Sequence, residues 1–169
     1  MAASRPVSAV LHWCLAIAVA ASASAVFWVA LHPRIRAFGQ DGQVQVDDGV
    51  RYSMFTDSGL FIIITTVGAF VLSALFLLDR HRIALTLGEV FAGAMVMTIY
   101  ATVVWLLGVQ IDGLVNDGVW PFPPEKLADR REVFAALRLQ TYGALALPAL
   151  VWSLASLVDA LLGRRVRRR

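Results

Sequence analysis

The chain has 169 residues, 59% of them hydrophobic and only 16% charged, with a mean hydropathy of +0.70. These values exclude an ordinary water-soluble domain, and the length leaves room for one helical bundle with two modest loops. The formal charge of +3 does not point to nucleic acid, because five of the fifteen basic residues are Arg164, Arg165, Arg167, Arg168 and Arg169 at the end of the chain. Such a cluster beside an apolar run is a topology signal and a lipid-headgroup contact.

Residues 7–31 form the first apolar run, bounded by His32-Pro33, where proline stops a helix. The run imitates a secretory signal, with Arg5 before it and Ala21-Ser-Ala-Ser-Ala25 inside it. His12 and Trp13 interrupt the apolar region of such a signal, however, and Val26-Phe-Trp-Val-Ala-Leu31 extends it to bilayer-spanning length. An uncleaved anchor is therefore expected. Cys14, the single cysteine, lies in the same run, which excludes an internal disulfide and a Cys-based zinc cluster.

Residues 32–58 turn polar, with Asp41-Gly42, Asp48-Gly49 and Asp57-Ser-Gly59 as turn signals. Gln43-Val-Gln-Val46 alternates as a strand does. A two-stranded ribbon is marginal alone, so an ordered version would need the second loop or a partner. The four aspartates here lack the spacing and closing Glu of a calcium loop and read as turn-forming, solvated acids.

Residues 59–78 form the second span, where Thr65, Thr66, Gly68 and Ser73 allow close helix approach. The connection Asp79-Arg-His-Arg82 is so short that the second and third spans must be antiparallel neighbours. The third span, residues 83–107, carries Glu89 about two turns in, next to Gly88, Ala92 and Gly93. A carboxylate in a membrane helix costs roughly 2.5–3.5 kcal/mol at the centre and less near an end, so Glu89 needs a partner or the interface. Arg82, seven positions earlier on nearly the same face, and Arg5 are the candidates. Structural pairing outweighs a proton or cation relay, because the site is shallow and the chain shows no internal repeat.

The second loop, residues 108–130, has Asp-Gly pairs at 112–113 and 117–118, followed by Trp120-Pro-Phe-Pro-Pro124. Trp120, Phe122 and, further on, Phe134 are expected at headgroup level. Residues 125–138 read as an amphipathic helix start that runs into the fourth span, residues 139–162, in which Pro148 predicts a kink. Arg80, Arg82 and the arginine tail hug the spans, which predicts both termini cytoplasmic and both loops outside.

His12 and His32 are twenty positions apart on one helix and cannot ligate a single haem iron; each would need a partner, and His81 is geometrically possible only with His12, so haem has little support and no cofactor or metal site is expected. No nucleophilic triad, zinc-protease helix or phosphate-cradling glycine loop appears, and enzymatic activity has little support. In layout, the four spans, Asp57-Ser-Gly-Leu-Phe61, Asp79-Arg-His-Arg82, Trp105-Leu-Leu-Gly108 and the arginine-rich tail resemble small actinobacterial four-helix integral membrane proteins of unknown function. That resemblance implies a bacterial plasma-membrane address and supplies no catalytic residues.

The expectation is an all-α four-helix transmembrane bundle with two outer loops and an interfacial amphipathic segment before the last span. Its expected role is a non-enzymatic accessory or scaffolding subunit of an envelope or respiratory assembly. Its partners would be membrane lipids and other membrane subunits or further copies of itself, with no nucleic acid. The alternative is a small transporter or channel component using Glu89. An enzyme acting on lipid or quinone, with residues 120–138 as its surface, comes third.

Overall fold

The structure is a computed structural model. It describes the backbone of residues 5–32, 36–40, 43–46, 50–79, 85–115, 133–134, 137, 139 and 141–166, and the side chains of residues 10–32, 56–79, 85–115, 137, 139 and 141–161. Four long apolar helices make an all-α four-helix bundle: α1 Arg5–Leu31, α2 Val50–Asp79, α3 Leu87–Val115 and α4 Leu147–Val166, the last preceded by a 3-10 turn, Tyr142–Ala146. All four are long and apolar enough to cross a membrane.

Their ends follow local chemistry. α1 stops at Leu31, just before His32-Pro33, because the proline ring disfavours helical backbone in the residue before it. α2 starts at Val50, well ahead of Gly59, so Asp57-Ser-Gly59 are helical and not a turn. Tertiary partners of Asp57, described below, override its weak local preference for a turn. α3 starts at Leu87 because Thr86 caps it, and it runs on to Val115, taking Asp112-Gly113 into the helix. Pro148 falls in the first turn of α4, where its missing N–H is not needed. The irregularity expected inside the fourth span is thus a junction between a 3-10 turn and an α-helix.

A small antiparallel sheet joins segments from both loops: β1 Arg36–Gln40, β2 Gln43–Val46 and β3 Val133–Phe134, in the order β2-β1-β3. Gln40 pairs with Gln43, so the Asp-Gly at 41–42, a favoured two-residue hairpin connection, links the two strands. Arg36 pairs with Phe134 and Ala37 with Val133. The alternating patch at 43–46 is therefore a strand of a hairpin completed by the second loop. Val133 and Phe134 correct the amphipathic-helix reading of residues 125–138, because the open edge of β1 offers backbone groups that an extended segment satisfies and a helix cannot. The remainder of that segment, Leu137 apart, lies outside the described residues. Since β1 and β3 pair directly, the two loops lie on one side of the membrane.

The chain divides into two compact units. The first comprises Met1–Ser24, Thr65–Val104 and Leu145–Arg169, and all four helices contribute to it. Its core holds Ala69, Leu72, Met97, Tyr100, Ala101, Val104 and Trp152. Small residues set the helix separations there: a side chain on Gly68 would meet the Tyr100 hydroxyl, and one on Gly93 would overlap the Trp152 indole. The Ser24 and Tyr100 hydroxyls hydrogen-bond at 2.7 Å in this core.

The second unit comprises Ala25–Ile64 and Trp105–Ala144, and includes the sheet. Its centre is Trp28, fully buried, edge-on to Phe61 with ring centroids 4.9 Å apart. The indole also lies against Gly108, where any side chain would overlap it. In both units large apolar residues point outward: Leu11, Val19, Phe27, Ile63, Phe70, Phe91, Met95, Leu106 and Leu154 are all more than half exposed, as lipid-facing residues are.

Candidate functional site

Among the described residues three carboxylates are partly or fully withdrawn from the surface of the helices, and each is tied to a structural partner. Glu89 is half-buried in the first turn of α3, not two turns inside it, because the helix begins four residues later than residue 83. Its Oε2 accepts from the Thr86 backbone N–H at 2.7 Å and from the Thr86 hydroxyl at 2.8 Å, while the Glu89 N–H donates to the Thr86 Oγ1 at 3.3 Å. Thr86-Leu-Gly-Glu89 is thus a reciprocal capping box, with the negative charge at the positive end of the helix dipole. Its four-residue signature is visible in the sequence, and it marks a helix start that a boundary at residue 83 conceals. The side chains of Arg82 and Arg5 lie outside the described residues.

Asp57 is the second. It is buried in α2, with its Oδ1 2.6 Å from the His32 Nδ1, and His32 is buried as well. A carboxylate only accepts, so the imidazole donates through Nδ1. The Asp57 backbone carbonyl accepts from the Trp28 indole N–H at 3.0 Å. This corrects the reading of Asp57 as a solvated turn acid: its side chain and its carbonyl both hold the end of α1 against α2. In chemical terms the pair is a buried carboxylate–imidazole contact that fixes the orientation of the ring.

Asp112, in α3, is the third. It is 1% exposed and accepts from the Leu137 backbone N–H at 2.7 Å. Expected in a loop turn, it instead anchors the segment that leads from β3 toward α4. Trp105 and Tyr142 meet edge to face nearby in the chain, with centroids 5.7 Å apart, fastening the 3-10 turn to the same helix.

A cavity of about 260 Å³ in the first unit is lined by Trp13, Ile17, Leu72, Phe76, Glu89, Ala92, Gly93, Val96, Met97 and Trp152. Its aromatic walls are coupled, Trp13 to Phe76 at 5.1 Å and Phe76 to Trp152 at 5.3 Å, both edge to face. The Trp152 indole N–H donates to the Val90 carbonyl at 2.9 Å. No spacing rule in the sequence links these aromatic residues, which come from three different helices.

Of the other sequence candidates, Arg164 and Arg165 belong to the backbone of α4 and Phe134 to β3, with their side chains outside the described residues. Arg167, Arg168, Arg169, Trp120 and Phe122 lie outside them entirely. His12 is exposed and His32 faces Asp57. Among the described residues no three His, Cys, Asp or Glu side chains converge on a position that would hold a metal ion. Comparison of the chain with protein-family models, with characterised proteins and with solved structures gave no match in any of the three.

Proposed function

We propose that this multi-pass membrane protein is a non-enzymatic accessory or scaffolding subunit of a larger plasma-membrane assembly. The observation that carries the reading is the use made of its withdrawn carboxylates. Glu89 caps α3, Asp57 holds His32, and Asp112 holds the Leu137 N–H. Polar groups that are expensive in a bilayer are engaged in capping a helix and, for Asp57 and Asp112, in joining distant segments, which suits a framework. Two further features support it. The helices present apolar, lipid-compatible surfaces with close-approach glycines, and the loops fold together into a sheet that can be displayed to another subunit. The transporter alternative rests on Glu89, whose engagement in a capping box gives it less support.

The arginines at positions 80, 82, 164, 165 and 167–169 favour cytoplasmic termini, with the sheet on the opposite side. The test is purification from native membranes in a mild detergent, followed by native mass measurement. The expected result is a stoichiometric complex containing other membrane subunits, lost when the sheet is disrupted by Val133→Pro. A lone chain with unimpaired membrane physiology on deletion would sink the proposal.

A further inference from the structure

We propose that the groove between α2 and α4 seats a membrane-spanning helix of another subunit, one that carries a lysine or arginine opposite Asp159, a proposal that rests on the assembly role and names one of its surfaces. The shape is the first reason. Phe70, Ala74 and Leu78 of α2 and Val151, Ala155 and Val158 of α4 line a groove of about 580 Å³ in the first unit. From Phe70 to Leu78, and from Val151 to Asp159, it follows each helix for two turns, or ~12 Å. Phe70, Leu78 and Val158 are exposed, whereas Ala74 and Ala155 are half-buried and too small to fill the space between the helices. A furrow with small residues at its floor and large ones at its rims accepts the side-chain ridge of a further helix.

The second reason is Asp159, which lines the same groove at the end nearer the helix C-termini. It is exposed, lies inside the apolar span Tyr142–Leu161, and has no hydrogen bond or ion pair among the described residues. The positions three and four away on its own helix, Ala155, Ser156, Leu162 and Gly163, bring no cation. Arg164 and Arg165 mark the headgroup level, and five helical rises put Asp159 ~7.5 Å deeper than the first of them. Helical side chains lean toward the N-terminus, which turns this short carboxylate further into the bilayer. A carboxylate there is costly, and intramembrane charges are as a rule paired.

Depth and charge together select the occupant. An acyl chain fills the groove but leaves Asp159 unpaired, and a lipid ammonium group stays at headgroup level. A second copy of this chain offers no lysine or arginine within any of its four spans, and the one histidine in those spans, His12, already has a contact of its own. A helix from a different subunit supplies both the apolar ridge and a cation at the required depth.

The experiment replaces Leu154, an exposed residue of the same lining, by photoreactive benzoylphenylalanine in the full chain, irradiates native membranes and maps the adducts by mass spectrometry. The expected result is one polypeptide adduct, mapped to an apolar segment with a lysine or arginine at the depth of Asp159. Its yield falls about fivefold or more in Asp159→Asn, and is restored when Asp159→Lys is combined with aspartate in place of the partner's basic residue. Ala155→Phe fills the groove without touching the charge, lowers the yield likewise, and decides the matter should Asp159→Asn not fold. Adducts to lipid alone or to a second copy, a mapped segment with no cation at that depth, or a yield indifferent to Asp159→Asn in folded protein overturns the assignment. Co-purification from the same membranes separates this from the wider reading. A stoichiometric complex together with lipid-only adducts overturns the groove and leaves the assembly role standing, whereas no complex at all overturns both.

Discussion

At the scale of single residues, buried polar groups decide what this chain can do. His32 and Asp57 illustrate it: their side chains are 2% and 6% exposed, and each takes the other out of an environment that would otherwise penalise it. Removing one partner of such a pair strands the other. His32→Ala and Asp57→Ala should each lower stability by about 3–5 kcal/mol, and the double variant should cost clearly less than their sum. Chemical denaturation in detergent, run as a double-mutant cycle, measures this, and additive effects would show that the contact carries no coupling. The pair was not legible in the sequence, since His32 follows an apolar run, Asp57 sits among turn-forming residues, and nothing in a 25-residue separation links them. Glu89 was legible as a residue to explain. Its explanation, the Thr86-x-x-Glu89 cap, was equally present in the letters but required the right helix start.

At the scale of elements, the apolar runs made all four helices readable, because 20 or more apolar residues allow few alternatives in a chain of this composition. Their ends were less readable. Asp57-Ser-Gly59 and Asp112-Gly113 carry the local signature of turns, yet both lie inside helices because their aspartates find distant partners. Glycines inside the helices also divide by what they touch. A methyl group on Gly108 would sit 2.5 Å from the Trp28 ring, whereas one on Gly59 meets nothing within 4 Å. Gly108→Ala should therefore destabilise by about 1–3 kcal/mol through overpacking. Gly59→Ala should stabilise by roughly 0.5–1 kcal/mol through helix propensity. Thermal unfolding of the two variants side by side checks both signs, and a neutral Gly108→Ala would mean that Trp28 can move.

At the scale of the whole molecule, the sheet ties the loop after α1 to the loop after α3, and this makes topology measurable. With Cys14 replaced by serine, Asp41→Cys and Asp117→Cys should react with a membrane-impermeant maleimide from the same side, the one opposite a cysteine at Arg168. Labelling of positions 41 and 117 from opposite sides would contradict the pairing of β1 with β3. The alternation at 43–46 made one strand readable in advance. The third was hidden because a two-residue strand has no periodicity of its own, and Val133-Phe134 fits an amphipathic helix equally well.

That same strand order bears on how the protein is made. β1 and β2 leave the ribosome together and can pair at once, but β3 follows almost a hundred residues later, after two further helices have been threaded. Until both have crossed, the far edge of β1 stays open, and a helix inserted the wrong way would leave it open permanently. Closure of the sheet therefore comes last: β3 can reach β1 only once the two intervening helices have been inserted in the orientation that returns the chain to β1.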